Sequence, residues 1–125
     1  MMRTLLACLL GSVALTAPAA AEVRAVLVGV GDYLTLDADL KGPANDVRLM
    51  AETLALRGVD PDLMAVLSTD PSGLPDGVTT NPPTREVILA AMRAASNASA
   101  PGDTLVFYFS GHGAQAPDMS GDEGG

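Results

Sequence analysis

Thiols, tryptophan and clustered positive charge are the scarce components of this sequence. Its 125 residues include one cysteine, Cys8, and no tryptophan, and aromatic residues make up only 3%. Lys and Arg number seven, against fifteen Asp and Glu. Neutralising phosphates takes clustered Lys and Arg, and stacking on bases takes aromatic side chains. The composition therefore argues against nucleic acid as a partner.

The N-terminal end has the three parts of a secretory signal peptide. Arg3 supplies the positive start, residues 5–15 form an uncharged apolar run, and Pro18 precedes the small residues 19–21. We therefore expect residues 1–21 to be a signal peptide and the protein to be exported, either periplasmic or secreted. The apolar run is short for a membrane span, so we expect no stable membrane insertion after cleavage. An uncleaved N-terminal anchor is the alternative, and it would leave the domain on the same side of the membrane.

The mature domain, residues 22–125, contains no cysteine, because Cys8 leaves with the signal peptide. It therefore has no disulfide and no cysteine metal site, and one histidine beside a few acids does not make a zinc site. The acids near the C-terminal end contribute at most weakly to calcium binding, because acidic, glycine-rich ends are usually just solvated. These acids are Asp118, Asp122 and Glu123. We expect no cofactor in this chain.

Strand-like and helix-like patterns alternate along the mature domain. Nearly continuous apolar runs at 23–30, 63–67 and 104–109 are typical of strands in a parallel sheet, and the last is the strongest buried-strand pattern of the three. Apolar stripes at helical spacing predict two helices. The first begins with Pro43, a favoured first-turn residue, and the second is capped by Thr84.

This alternation predicts an α/β fold with a parallel sheet covered by helices. Right-handed crossovers follow from that connectivity, and the expected order of the three strands is two-one-three. Residues 68–83 are rich in Pro, Gly, Asp and Thr, and they predict a long exposed loop.

The single histidine, His112, comes directly after the last predicted strand. Ligands of open α/β sheets bind at the carboxyl ends of the strands, and Gly111 and Gly113 allow a tight turn and a close approach of substrate. An imidazole there can move protons near neutral pH. The residues alone support a catalytic base and a surface-loop histidine without a role equally well.

Asp46 has two interpretations. It lies in the first turn of the first predicted helix, where an acid complements the helix dipole, and the residues alone favour that role. The alternative is a carboxylate that lines a pocket beside the first strand.

Two other motifs lack residues that their functions would require. Gly29 and Gly31 follow the first strand, but a dinucleotide-binding fingerprint would need glycine at Leu34 and a helix opening there. Ser110 would need glycine at Tyr108 to form the nucleophile elbow of a serine hydrolase. Neither class of enzyme is predicted.

Several segments in the same order resemble caspase-like cysteine endopeptidases of the metacaspase type. Residues 25–33 and 40–50 look like the family's first strand and helix, and residues 83–104 look like its approach to the histidine motif. Residues 107–115, Phe-Tyr-Phe-Ser-Gly-His-Gly-Ala-Gln, resemble that motif, and residues 121–124 resemble the acidic stretch that follows. The resemblance implies a caspase-like α/β/α sandwich with a mainly parallel sheet, incomplete in this chain.

The resemblance also implies roles for four residues. His112 would be the histidine of a Cys–His dyad, generating the thiolate and protonating the leaving amine. Gly113 would lend its backbone N–H to the oxyanion. Asp46 would help to form the pocket for a basic P1 side chain, and Ser110 would support that pocket. The implied function is hydrolysis of peptide or protein substrates after Arg or Lys.

The chain departs from the family pattern in what it does not include. The family's nucleophilic cysteine lies at the end of the next strand, so we expect it beyond residue 125 and predict that the chain as given is inactive alone. The aspartates that bind activating calcium in some metacaspases would also fall beyond Gly125, so calcium activation belongs to a full-length form. The alternative function is a non-catalytic caspase-like binding module, either a pseudo-enzyme or an inactive fragment.

Overall fold

The computed structural model describes residues 20–32 and 41–113. The predicted alternation of strands and helices is confirmed there. Most of the predicted signal peptide, the loop after Asp32 and the acidic C-terminal residues Asp118, Asp122 and Glu123 lie outside the described residues. The elements are β1 (Val23–Gly29), α1 (Gly42–Leu56), a short 3₁₀ helix (Pro61–Leu63), β2 (Met64–Ser68), β3 (Thr79–Asn81), α2 (Arg85–Ala98) and β4 (Thr104–Ser110).

The described strands form one parallel sheet with the order β3-β2-β1-β4. The predicted order of three strands is confirmed, since β1 lies between β2 and β4. The prediction of a loop over 68–83 was wrong at Thr79–Asn81, which pairs with β2. All three residues of β3 are exposed, so this edge strand has no apolar pattern by which it could be recognised.

A first apolar cluster lies between α1 and the sheet. The predicted stripe of α1 is confirmed, with Val47 and Ala51 fully buried and Met50 and Leu54 packed at the margin. Its buried partners on the strands are Ala25, Leu27, Met64 and Val66.

A second cluster fills the opposite face, under α2. Its buried members are Val26, Val28 and Leu67, and the apolar side of α2 packs on them through Val87, Ile88, Ala91 and Ala95. With helices on both faces, the molecule has the three layers of the expected incomplete α/β/α sandwich. β1 is therefore buried on both sides, as its continuous apolar run predicts.

β4 differs from the sequence-based expectation. Its pattern predicts a deeply buried strand, but none of its seven residues is fully buried, and Phe107 and Phe109 are each about half exposed, at 49% and 48%. The physical reason for this exposure is the position of β4 in the sheet. β4 forms one edge of the described sheet, and α2 packs mainly over β1 and β2.

Candidate functional site

The site begins with the alignment of three strand ends. Gly29, the last residue of β1, lies opposite Ser68 on one side and Ser110 on the other. The backbone N–H of Val30 then donates to the carbonyl oxygen of Ser110 at 2.9 Å. The carboxyl ends of β1, β2 and β4 therefore meet at one edge, which is where ligands bind in parallel α/β folds.

Gly29 allows α1 to come unusually close to that edge. A Cβ atom at this position would lie 2.6 Å from the carbonyl oxygen of Pro43 and 3.0 Å from a methyl group of Val47. Sequence reasoning considered Gly29 only as part of a nucleotide-binding turn and missed this packing role. Gly-x-Gly at the end of a buried strand is the signal that could have indicated a close backbone approach.

The close approach of α1 joins two of the predicted site residues. The hydroxyl of Ser110 donates to Oδ2 of Asp46 at 2.6 Å, a short distance typical of a bond to a carboxylate. The two residues are 64 positions apart in sequence and both are partly buried. α1 begins at Gly42, so Asp46 is its fifth residue and lies just past the first turn in which it was expected.

The nearby cation, Arg48, is directed elsewhere. Its guanidinium donates to the side-chain oxygen of Asn45 at 2.8 Å and to the carbonyl oxygen of Ser72 at 3.2 Å. Among the residues that the structure describes, Asp46 forms no salt bridge. Its hydrogen-bond partner, the hydroxyl of Ser110, carries no charge.

The loop after β2 is fixed beside the same edge. Oγ of Ser68 accepts from the backbone N–H of Asp70 at 3.2 Å, and a carboxylate oxygen of Asp70 accepts from the N–H of Ser72 at 3.0 Å. Hydrogen bonds from Ser72 lower the pKa of Asp70. The carbonyl of Ser72 is therefore held where Arg48 reaches it.

His112 and Gly113 follow β4 by two and three residues, and both are exposed. They lie on the chain that leaves the edge at Ser110, so the structure carries all four predicted site residues to one end of the sheet. Chain neighbours aside, no atom of the described residues lies within 4 Å of the position that a Cβ atom would take at Gly113.

Two cavities lie on the sheet near the candidate site. A cavity of about 420 Å³ lies at the carboxyl edge and is lined by Asp32, Ser68, Asn81 and other residues of that edge. A larger cavity of about 500 Å³ lies under α2 and extends from Arg24 and Met64 to Asn81, which lines both cavities. Neither cavity is lined by any of the four predicted site residues.

Residues 20–32 and 41–113 contain neither a candidate metal centre nor a candidate membrane span. No group of three or more His, Cys, Asp or Glu side chains there could hold a metal ion. No helix in the same part of the chain has the length and apolar character needed to cross a bilayer. The structure gives no geometry for calcium at the C-terminal acids, because they lie outside these ranges.

The fold and the site define a class of protein, the three-layer α/β proteins with polar residues at the carboxyl ends of parallel strands, and sequence comparison identifies the family within it. The profile of the family described as metacaspase, peptidase C14 domain, matches residues 23–125. Metacaspase-1 of Mycosarcoma maydis is 38% identical over 100 residues, covering 80% of this chain and 23% of that protein. Metacaspase-2 of Trypanosoma brucei brucei is 40% identical over 93 residues, covering 74% of this chain and 26% of that protein.

The chain belongs to the metacaspase family of caspase-like cysteine peptidases. Metacaspase-1 of Schizosaccharomyces pombe shows the same relationship, with 36% identity over 80% of this chain and 22% of that protein. The chain thus spans about a quarter of the length of the curated relatives it matches. The resemblance inferred from the motif around His112 is confirmed at the level of the family.

Proposed function

We propose that this chain is the histidine-bearing part of an exported cysteine endopeptidase that cleaves after Arg or Lys. The nucleophilic cysteine belongs to the polypeptide that follows Gly125. The pairing of Asp46 with Ser110 at the carboxyl edge of the sheet carries the proposal. It places a carboxylate that forms no salt bridge with any described residue beside Ser110, two residues before His112.

Each proposed residue has a task that suits its chemistry. His112 takes the proton of the cysteine thiol, and the thiolate attacks the scissile carbonyl. The N–H of Gly113 stabilises the oxyanion, and the imidazolium of His112 gives its proton to the leaving amine. Water then hydrolyses the thioester. Asp46 binds the cationic P1 side chain, and the hydroxyl of Ser110 keeps that carboxylate in place.

The proposal is tested in the full-length gene product with reporter peptides that differ only at P1. We expect Asp46→Asn to lower kcat/KM for Arg and Lys peptides by about 30-fold or more, since losing one member of a desolvated charge pair costs at least about 2 kcal/mol. Glu52→Gln removes an exposed charge from the same helix and is the matched control. Equal effects of the two variants would refute the specificity assignment.

The dyad assignment has its own test. His112→Ala should reduce kcat by at least about 10²–10⁴, the range contributed by a general acid–base group. Full retention of activity would remove His112 from the mechanism. The chain as given should hydrolyse no Arg or Lys reporter peptide, and hydrolysis that thiol alkylation blocks would overturn that expectation.

The second candidate function is a caspase-like binding module without catalysis, because the Asp46–Ser110 pair can bind a ligand without a nucleophile. Such a module would use the same Asp46 carboxylate to hold a basic peptide without cleaving it. The full-length product separates the two functions, because a cysteine after a further apolar strand supports the peptidase and its absence leaves the binding module.

Export is part of the proposal and is supported by the pattern of residues 1–21. Fractionation of the producing cells, with mass spectrometry of the purified protein, should find it outside the cytoplasm and without this segment. Recovery of the protein in the cytoplasm with Met1 or Met2 at its start would contradict export.

A further inference from the structure

The start of β1 is held by a side chain from the other end of the described chain. The backbone N–H of Glu22 donates to Oδ1 of Asp103 at 2.9 Å. The carbonyl oxygen of Glu22 accepts from the N–H of Thr104 at 2.9 Å, which continues the β1–β4 pairing by one residue. Glu22 is therefore fixed through both of its backbone groups, and the carboxylate of Asp103 supplies one of the two contacts.

Asp103 is well suited to hold a positive charge. Its second oxygen accepts from the N–H of Ala100 at 2.8 Å. The hydrogen bonds from Ala100 and Glu22 lower the pKa of Asp103, and the nearby charge of Arg24 lowers it further. The guanidinium of Arg24 is itself ion-paired with the side-chain carboxylate of Glu22. The charged groups that the described residues place at this position are thus the guanidinium of Arg24 and the carboxylates of Glu22 and Asp103, which together leave one negative charge over.

The sequence puts the predicted cleavage point directly beside this contact. The predicted signal peptide ends in three alanines, and Ala20 and Ala21 are exposed and lie outside the strand. Hydrolysis of the bond between Ala21 and Glu22 consumes one water. Ala21 leaves as a carboxylate with the leader, and the nitrogen of Glu22 gains protons to become an α-ammonium group.

We propose that Asp103 is the binding site for the α-ammonium group of Glu22, which removal of residues 1–21 creates. The nitrogen that now donates as an uncharged amide would carry a full positive charge at the same place, which adds a direct attraction between opposite charges to the existing hydrogen bond. Processing would then strengthen the attachment of β1 to the turn that precedes β4. This inference rests on the proposed export and is independent of peptidase activity.

The ion pair has a distinctive pH dependence. An α-amino group ordinarily has a pKa of about 7.7–8.0, and the adjacent carboxylate would raise that value in the folded protein. A group whose folded pKa is raised stabilises fully below its unfolded pKa, and the stabilisation is lost as the pH rises through the folded pKa. The contribution should therefore disappear in mildly alkaline solution.

The first measurement is mass spectrometry of the protein purified from exporting cells, which should find Glu22 as the first residue. A different first residue, or an uncleaved chain, would overturn the proposal, because Glu22 would then carry no α-ammonium group. The second measurement compares this protein with a chain that starts one residue earlier, at Ala21. In that chain the nitrogen of Glu22 is an amide and the α-ammonium group is displaced by about 3.8 Å.

We expect the chain that starts at Glu22 to have an unfolding equilibrium constant up to about fivefold lower at pH 6.5, which is the upper end of the range for an exposed ion pair. That advantage should vanish by about pH 10, well above the ordinary pKa of an α-amino group, and Asp103→Asn should remove it at every pH. Identical pH profiles of the two chains would refute the ion pair even if cleavage occurs at Glu22.

A direct readout covers the case in which Asp103→Asn does not fold. The rate at which a succinimidyl ester acylates the α-amine of Glu22, followed against pH, reports the pKa of that amine in the folded protein. We expect an apparent pKa above the ordinary range and a return to that range in urea. An unshifted value in the folded protein would overturn the proposal.

Discussion

At the scale of single residues, Gly29 decides how the candidate specificity pocket is assembled. Asp46 reaches Ser110 only because α1 passes close to the end of β1, and that passage has no room for a side chain at Gly29. Two of the three atoms that a Cβ would meet belong to the backbone of Pro43. Because backbone cannot rotate away as a side chain can, the helix itself would have to move.

Gly29→Ala should therefore destabilise the protein by about 1–3 kcal/mol, the range for overpacking a well-filled site. Urea denaturation of the full-length product gives this difference. Gly113→Ala is the matched control, since its new methyl group would meet no atom of the described residues within 4 Å, chain neighbours aside. If both substitutions have the same effect, the close approach of α1 is not the cause. In the peptidase assay, Gly29→Ala should also weaken selection of Arg and Lys.

At the scale of elements, the sequence was informative wherever an apolar pattern reflected burial. β1 and the inner face of α1 were recognised because their apolar residues are in contact with the core, and Thr84 was recognised as a cap from its residue type. β3 has only exposed side chains, so its pairing with β2 had no signature. The apolar residues of β4 predict burial that the described neighbours do not supply.

For the candidate site, the sequence proposes members, and it does not indicate the contacts between them. Family resemblance selected Asp46 and Ser110, but their hydrogen bond depends on the approach of α1 to Gly29. That approach is a property of packing between elements, and no local spacing of residues encodes it. Sequence therefore indicated the site, and the fold supplied the reason for its geometry.

The N-terminal end of α2 offers a test of a single capping contact. Oγ1 of Thr84 accepts from the backbone N–H of Val87 at 3.3 Å. Thr84→Ala should cost about 0.5–1 kcal/mol, at the low end for such caps because the bond is long. Thr84→Ser keeps the hydroxyl and should stay within a few tenths of a kcal/mol of the wild type. Chemical denaturation measures the free energy of unfolding of both variants. If Thr84→Ser loses as much stability as Thr84→Ala, the effect comes from packing and not from the cap.

At the scale of the whole molecule, the distribution of apolar surface is uneven. The apolar clusters on both sides of β1 contain fully buried side chains, whereas β4 presents half-exposed Phe107 and Phe109 at one edge of the described sheet. An exposed, apolar edge strand is a template for pairing with another chain. The mature chain, 22–125, should therefore associate when it is produced alone.

Phe107→Lys tests whether β4 is the surface responsible for that association. A lysine on an edge strand opposes pairing because its charge would have to be desolvated, so the variant should shift 22–125 from oligomers toward monomer in light scattering after gel filtration. Leu56→Lys is the matched control, since Leu56 is 89% exposed and lies at the end of α1. Introducing the same charge there should leave the oligomers unchanged.

A wild-type chain that is monomeric and melts cooperatively would contradict the prediction. An equal shift toward monomer in both variants would attribute the loss of association to net charge. A selective effect of Phe107→Lys would show that β4 can pair with a further strand. The proposed continuation beyond Gly125 requires such a pairing, because its next strand would lie beside β4.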